Sequence, residues 1–317
     1  MYVVQSLTKG LKVGLQTVWS LGKIIFPVTL IVTFLQHTPV LPWLIDLIAP
    51  LMSIFGLSGD AAIPLVIGNF LNIYAAIGAI LTLDLTVKEV FIIAMMMSFS
   101  HNLLVESSVV KRVGVKLWIS LVVRVGLAFI SGIVINLVWN GGDQLAKYGL
   151  IQQSDQDTVS GIWGISVDAL QKAGIGIFQL AIMVIPLMVV IQFLKDLKWL
   201  EKFSKWMAPV TRVLGVQPNT STTLAAGLLF GLAYGAGVMI QAVKEDGVSK
   251  KDVTLAIIFL GACHAVVEDT LIFAPLGIPV WPLLLIRLVM AFLITSIVAF
   301  YWNRVEIARR KETTYEF

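Results

Sequence analysis

A few ionisable side chains interrupt otherwise apolar stretches of this sequence: His101, Glu106, Arg124, His264, Glu268, Asp269 and Arg287. At membrane depth such groups are expensive, and they are kept for ion pairs, proton relays or ligands. Glu106 and Arg124 flank one short loop at similar depth, and Asp269 and Arg287 stand in the same relation. The plain reading is two structural ion pairs, each clamping a helix hairpin, since breaking a buried pair costs about 3–5 kcal/mol. The sharper reading is contact with a substrate. With both pairs formed, the charge left over is Glu268, whose counterpart in the first half of the chain is Val105. A buried carboxylate without a cation is held toward its protonated form, which suits proton coupling or cation binding. The competing assignment gives Glu268 the bond to Arg287, with Asp269 assisting. On a continuous helix His264 and Glu268, at i and i+4, share a face. Cys263, His264 and Glu268 form a weak ligand set for a borderline divalent metal, but the adjacent Cys263 and His264 point to different helix faces, so no metal is expected.

The elements that must position these groups are membrane helices. The chain of 317 residues is 58% hydrophobic and 13% charged, about half the charge of an ordinary soluble domain. Mean hydropathy is +0.90, and runs such as Gly176 to Leu194 approach the roughly 20 residues that a bilayer core requires. A soluble enzyme is excluded, and the single cysteine excludes an internal disulfide. The N-terminal arm, Met1 to Gln16, is basic and amphipathic without a small-residue cleavage site, and reads as retained on the cytoplasmic surface.

The chain is one motif written twice. Pro27, Pro50 and Gly56 recur at one constant offset as Pro186, Pro209 and Gly215. After a short insertion, His101, Gly114, Trp118 and Arg124 recur at a second constant offset as His264, Gly277, Trp281 and Arg287. Each half has a spanning helix, an amphipathic Pro-containing segment (Leu41 to Phe55, Leu200 to Leu214), a Gly- and Asn-bearing apolar stretch (Asp60 to Leu83, Asn219 to Val243) and two more spanning helices. The second amphipathic segment carries Glu201, Lys202, Lys205 and Arg212 and is expected to lie in the interface, because Lys or Arg at the bilayer centre costs roughly 2.5–3.5 kcal/mol. The Gly- and Asn-bearing stretch is read as a re-entrant hairpin.

Charge placement fixes the expected orientation. With three crossings per half, Lys9, Lys12, Lys23, Lys111, Arg112 and Lys116 face inside in the first half. In the second, the loop equivalent to the one bearing Lys111 is uncharged and outside, while Lys195, Lys198, Lys202, Lys205, Arg212, Lys244, Lys250, Lys251 and the tail Arg304, Arg309, Arg310 and Lys311 face inside. Only Lys88, Lys147 and Lys172 are placed outside. By the positive-inside rule the halves are inverted, and inverted repeats with broken segments point to a secondary transporter whose site lies at the repeat junction. A channel or a structural assembly is the rival use of such symmetry. Within the hairpins Asn69, Asn72, Asn219 and Thr220, with Ser221 and Thr222, can bond a neutral polar solute or cap helices. Gly227, Gly231, Gly235 and Gly237 read as packing positions.

The residues Gly59-Asp60, Gly68-Asn69, Asn72-Ile73-Tyr74, Ser100-His101-Asn102 and Glu106-Ser107 resemble the nucleoside recognition, or Gate, domain family. The second half resembles it through Gly227, Tyr234-Gly235, Cys263-His264 and Asp269-Thr270. The resemblance covers nearly the whole chain and implies kinship with sporulation maturation membrane proteins, the gates of ferrous iron transporters and concentrative nucleoside transporters. No Gly-x4-Gly-Lys-Ser/Thr phosphate loop occurs, so any transport would draw on an ion gradient, the substrate gradient or a partner.

The expected protein is all-α and polytopic. Its repeats occupy 1–139 and 173–303, separated by an extracytoplasmic polar linker at 140–172 and followed by a cytoplasmic basic tail at 304–317. It is not an enzyme and needs no cofactor. It moves a small polar solute, a nucleoside or related metabolite, across the cell membrane with both termini cytoplasmic. The substrate and coupling residues are His101, Asn102, Glu106, His264, Glu268, Asp269, Asn69, Asn72, Asn219 and Thr220, with Arg124 and Arg287 in ion pairs. Partners are the bilayer, the solute, a proton or sodium ion, and a second copy or membrane subunit; nucleic acid is not among them. The alternatives are a non-transporting scaffold and a divalent-metal permease.

Overall fold

The computed structural model describes residues 2–36, 38, 40–148, 161–197, 199–245 and 247–314, and every regular element among them is helical. In chain order they are α1 (Tyr2–Gln36), α2 (Val40–Ser53), α3 (Ala62–Phe70), α4 (Ile73–Ile80), α5 (Val87–Phe99), α6 (Leu103–Arg112), α7 (Leu117–Val138), α8 (Gly161–Asp196), α9 (Trp199–Val213), α10 (Ser221–Glu245), α11 (Lys250–Ala262), α12 (Glu268–Leu271) and α13 (Val280–Thr314). Short 3-10 turns, Gly59–Ala61 and Pro218–Thr220, lead into α3 and α10. Val87–Arg112, Leu117–Val138 and Val280–Val305 are long and apolar enough to cross a membrane.

The chain divides into two compact units. The first comprises Met1–Leu104, Val125–Leu197 and Glu268–Leu283, and the second Val105–Arg124, Lys198–Val267 and Leu284–Phe317. Each is built round a helix buried on all faces, as a helix apolar all round must be. In the first this is α5, buried from Val90 to Phe99; in the second it is α11, buried from Asp252 to Ala262. Both start on a side-chain cap: Thr86 accepts from the Glu89 amide in a reciprocal capping box, and Ser249 accepts from the Asp252 amide.

Long helices flank the core of the first unit. The N-terminal arm and the first expected span form one 35-residue helix, α1, roughly 50 Å long. It runs antiparallel to α8: a Cβ on Gly10 would lie 2.7 Å from Val189 Cα, and one on Gly14 3.0 Å from Ile185 Cα. Glycine lets the two backbones approach in the manner of small-residue membrane interfaces. Near the end of α8, hydrogen bonds from Ser6 and Gln192 hold the Asp196 carboxyl below its ordinary range, and Lys9 assists. A carboxyl lowered in the folded state stabilises the fold above the unfolded-state value, about 3.9, and this contribution is lost as pH falls through the folded value. Melting curves on acidification should therefore show a smaller loss of stability in Ser6→Ala than in the parent.

Two local features depart from the sequence reading. Residues 140–148, expected as linker, are strapped along the start of α5: the amides of Val87 and Lys88 donate to the carbonyls of Gln144 and Gly142, both at 2.9 Å, and the Ala146 amide donates to Leu85. The first amides of a helix have no partner within it, and the strap supplies one. Helix α8 then begins at Gly161, so Asp168 and Lys172 lie on a helix and not in a loop. Residues 149–160, which carry Asp155 and Asp157, fall outside the described residues.

In each unit the Gly- and Asn-bearing stretch forms a helical hairpin. Helix α3 packs on α4, and the chain reverses through Leu71 and the extended Asn72, whose side chain caps α4 by accepting from Ala75 N at 2.8 Å. Helix α10 is interrupted at Gly231, with φ 74° and ψ 176°. Its limbs fold together, because a Cβ on Gly235 would lie 2.9 Å from the Ala226 carbonyl oxygen; nine residues of straight helix would separate them by roughly 13 Å.

Candidate functional site

Both histidines sit where a buried helix breaks. Helix α5 ends at Phe99 and α6 begins at Leu103; α11 ends at Ala262 and α12 begins at Glu268. The residue after each histidine takes the left-handed conformation, Asn102 at φ 48° and Ala265 at φ 42°. For a non-glycine residue, above all alanine, this conformation costs roughly 1–2 kcal/mol and persists only where surrounding contacts impose it. The contacts come from the hairpins. Asn102 N donates to Gly68 O at 2.8 Å, while Ala265 N donates to Gly227 O at 3.0 Å and Val266 N to Leu228 O at 2.8 Å. The two glycines permit that approach: a Cβ on Gly68 would meet Met97 Sδ at 2.8 Å, and one on Gly227 would meet Leu260 Cδ1 at 2.4 Å.

Met97 and Leu260 also anchor the imidazoles. His101 Nδ1 lies 2.7 Å from Met97 O and His264 Nδ1 lies 2.8 Å from Leu260 O. Each ring is thereby fixed to the last turn of its helix, with Nε2 turned to a carboxylate that belongs to the other half of the sequence. In the first unit His101 Nε2 is 3.9 Å from Asp269 Oδ2. In the second, His264 Nε2 is 3.4 Å from Glu106 Oε1.

The second unit holds a densely charged interior. Arg124 Nη1 lies 2.7 Å from Glu106 Oε2, with Arg124 only 1% exposed. Arg287, at 0% exposure, donates from Nη2 to the His264 carbonyl at 2.6 Å. The stem of Arg124 passes Gly261, where a Cβ would lie 3.4 Å from its Cγ, so α11 makes room for the guanidinium with a missing side chain. In the first unit the buried Tyr74 of α4 donates its hydroxyl to Glu268 Oε1 at the start of α12.

The break changes the reading of Glu268. Its i, i+4 relation to His264 assumed a continuous helix, whereas residues 263–267 are non-helical, so shared-face geometry does not apply to the pair. Cys263 is the buried C-cap of α11, also off a regular helix. The partner that Glu268 does have, Tyr74, was not among the candidate residues; its one sequence signal is its place in Asn72-Ile73-Tyr74. Asn69 accepts from Ser100 Oγ at 2.6 Å and donates to Leu65 O at 2.8 Å, tying α3 to the break. Asn219 and Thr220 lie in the turn before α10, Thr220 being buried, and Ser221 and Thr222 bond Ser204 of α9 at 3.1 and 3.3 Å. Trp118 and Trp281 are 61% and 77% exposed at the starts of α7 and α13, positions suited to interfacial anchoring.

Two comparisons place the chain. Residues 18–117 and 177–279 match the Gate family, described as nucleoside recognition. The chain is 61% identical over 295 residues to the "Uncharacterized membrane protein YvoD" of Bacillus subtilis (strain 168), covering 93% of this chain and 94% of that one. No solved structure matches. With most of both hairpins and both broken helices inside the matched stretches, and with apolar helices long enough to span a bilayer, this membrane protein belongs to the Gate nucleoside recognition family.

Proposed function

We propose that the protein is a secondary transporter that moves a small polar solute, of the nucleoside or related metabolite class, across the cell membrane. The observation that carries this reading is the duplicated break: two buried helices, each interrupted at a histidine and stitched to a hairpin, with Glu106, Arg124, Glu268, Asp269 and Arg287 buried around them. Irregular backbone at membrane depth is tolerated where it is buried in protein or lines a wet cavity, and buried charge there is kept for transport or relay. Broken helices around a midplane site are the common plan of secondary transporters.

In this proposal the two halves are inverted, with both termini cytoplasmic, and the hairpins are re-entrant. The solute binds where hairpins and breaks meet, and alternating access exchanges the stitches that hold each hairpin to its break. Bonds such as Tyr74 to Glu268 and Asn69 to Ser100 join elements that would have to separate, and they are made of side chains whose partners water or solute can replace.

The test is a thermal-shift screen of the purified protein against nucleosides, nucleobases, phosphorylated metabolites and divalent metals, followed by proteoliposome uptake of whatever stabilises it. A nucleoside-class hit that is taken up, with uptake reduced at least tenfold in Glu268→Gln, is the expected result. Binding without uptake would favour a scaffold or receptor, and unchanged uptake in Glu268→Gln would remove that residue from the mechanism.

A further inference from the structure

Helix α9 presents three faces. Met207, Thr211 and the adjoining Leu214 are buried, and Ser204 bonds Ser221 and Thr222 at 3.1 and 3.3 Å, so this face is held against the first limb of α10. Beside it stand Trp206 and Val213, 61% and 67% exposed, with Trp199 packed edge to face on Trp206 at a centroid distance of 5.8 Å. Further round, at 3.6 residues per turn, Lys202, Lys205 and Arg212 form a third, exposed stripe, against the single acid Glu201. A buried face, an exposed aromatic and aliphatic edge and a basic stripe beyond it suit a helix lying in a bilayer interface, its ring and alkyl groups at the acyl boundary and its cations among the phosphates.

The offset that relates Pro50 to Pro209 makes α2 an internal comparison. Its burial pattern is the same: Met52 and Phe55 are buried where Thr211 and Leu214 are, and Leu47 and Ile54 are exposed where Trp206 and Val213 are. The basic stripe is not repeated. Trp43, Asp46 and Ser53, all exposed, occupy the positions of Lys202, Lys205 and Arg212. Packing therefore demands no cation at these positions, since the equivalent helix keeps the same faces with none. Three in α9 answer to something outside the chain.

We propose that the exposed stripe of α9 binds the phosphate of an anionic phospholipid, with Trp206 and Val213 against its acyl chains, and that the bound lipid steadies the base of the α10 hairpin through Ser204. Neither clause depends on the transport reading. Ammonium and guanidinium groups donate charge-assisted hydrogen bonds to phosphate oxygens, and Arg212 can do so with two N–H groups at once. Three like charges along one stripe favour a headgroup of net negative charge; a zwitterionic headgroup adds an ammonium of its own, which they repel. The stripe of α2, with Asp46 and no cation, offers such a lipid nothing.

Native mass spectrometry of the full-length protein in detergent, titrated with phosphatidylglycerol or phosphatidylcholine, counts bound lipids and gives their affinities. Phosphatidylglycerol should bind the parent about tenfold tighter or more. Each cation near a lipid headgroup contributes roughly fivefold, so the triple variant Lys202→Gln, Lys205→Gln, Arg212→Gln should weaken phosphatidylglycerol about a hundredfold and leave phosphatidylcholine unchanged. The control Lys111→Gln, Arg112→Gln, Lys116→Gln removes the same charge from exposed positions elsewhere in the unit and should keep the parental affinity. Should the first triple variant fail to fold, Lys205→Gln alone should cost roughly fivefold. No preference for phosphatidylglycerol, or equal losses in the two triple variants, would overturn the site. Amide hydrogen exchange at residues 221–224 should slow when phosphatidylglycerol is added to the parent and stay unchanged in the α9 variant. Lipid binding that leaves this exchange unaltered in the parent would keep the site and sink the link to α10.

Discussion

Replacing Arg124 with alanine is expected to destabilise the protein by roughly 3–5 kcal/mol. The guanidinium is 1% exposed and lies 2.7 Å from Glu106 Oε2. Removing it takes the guanidinium from a buried carboxylate and opens a void beside Gly261. Leaving a buried charge without its partner costs more than the pair contributes over an apolar replacement, so Arg124→Met with Glu106→Leu should recover much of the loss. Thermal and denaturant unfolding in one detergent, for both single variants and the double, would close the cycle. If the two single losses simply added in the double variant, the residues would not be acting as a pair.

The second large effect is expected at Gly277, and its counterpart Gly114 is the internal control. Both glycines have positive φ, 71° and 89°. A Cβ on Gly277 would lie 2.6 Å from the carbonyl oxygen of Lys147 in the strap, whereas one on Gly114 would meet nothing within 4 Å. Gly114→Ala should thus cost only the conformational term, roughly 1–2 kcal/mol. Gly277→Ala adds a clash with backbone, which cannot rotate away, for a further 1–3 kcal/mol or so. The two midpoints of unfolding, measured side by side, check this. Equal losses would mean that the strap yields without cost.

The scaffold was legible because the sequence repeats its rarest residues. Pro, His, Trp and Arg at constant offsets point to equivalent elements, and the paired left-handed positions Gly56 and Gly215, at φ 68° and 70°, occupy those offsets. The hairpins were legible from Asn and Gly in apolar surroundings, and the Glu106 and Arg124 contact from two opposite charges flanking one loop. Other features left no local trace. Despite the polar Ser100-His101-Asn102, the stretch Val87–Arg112 is apolar enough to read as one span, so hydropathy does not mark the break at His101; the break exists because Gly68 offers a carbonyl from a distant hairpin. The i, i+4 reading of His264 and Glu268 failed for the same reason. Tyr74 and Glu268 lie 194 residues apart, and no periodicity joins them. The strap was read as linker because Gly and Asp are common in loops, whether or not the loop's carbonyls have work to do.

The composition of the two units constrains how the chain can be made. The first unit needs Glu268–Leu283, synthesised near the end, and the second needs Val105–Arg124, synthesised long before most of its other parts. Neither can close until nearly the whole chain has left the ribosome, and such long-range closure is slow. A gene cut between Tyr148 and Gly161 would leave the first fragment without α8 and Glu268–Leu283 of its own unit, and the second without Val105–Arg124 of its own. Neither fragment would survive alone, but co-expression should let them exchange struts and reassemble. Ancestral half-length proteins of this plan would, by the same logic, have been obligate pairs.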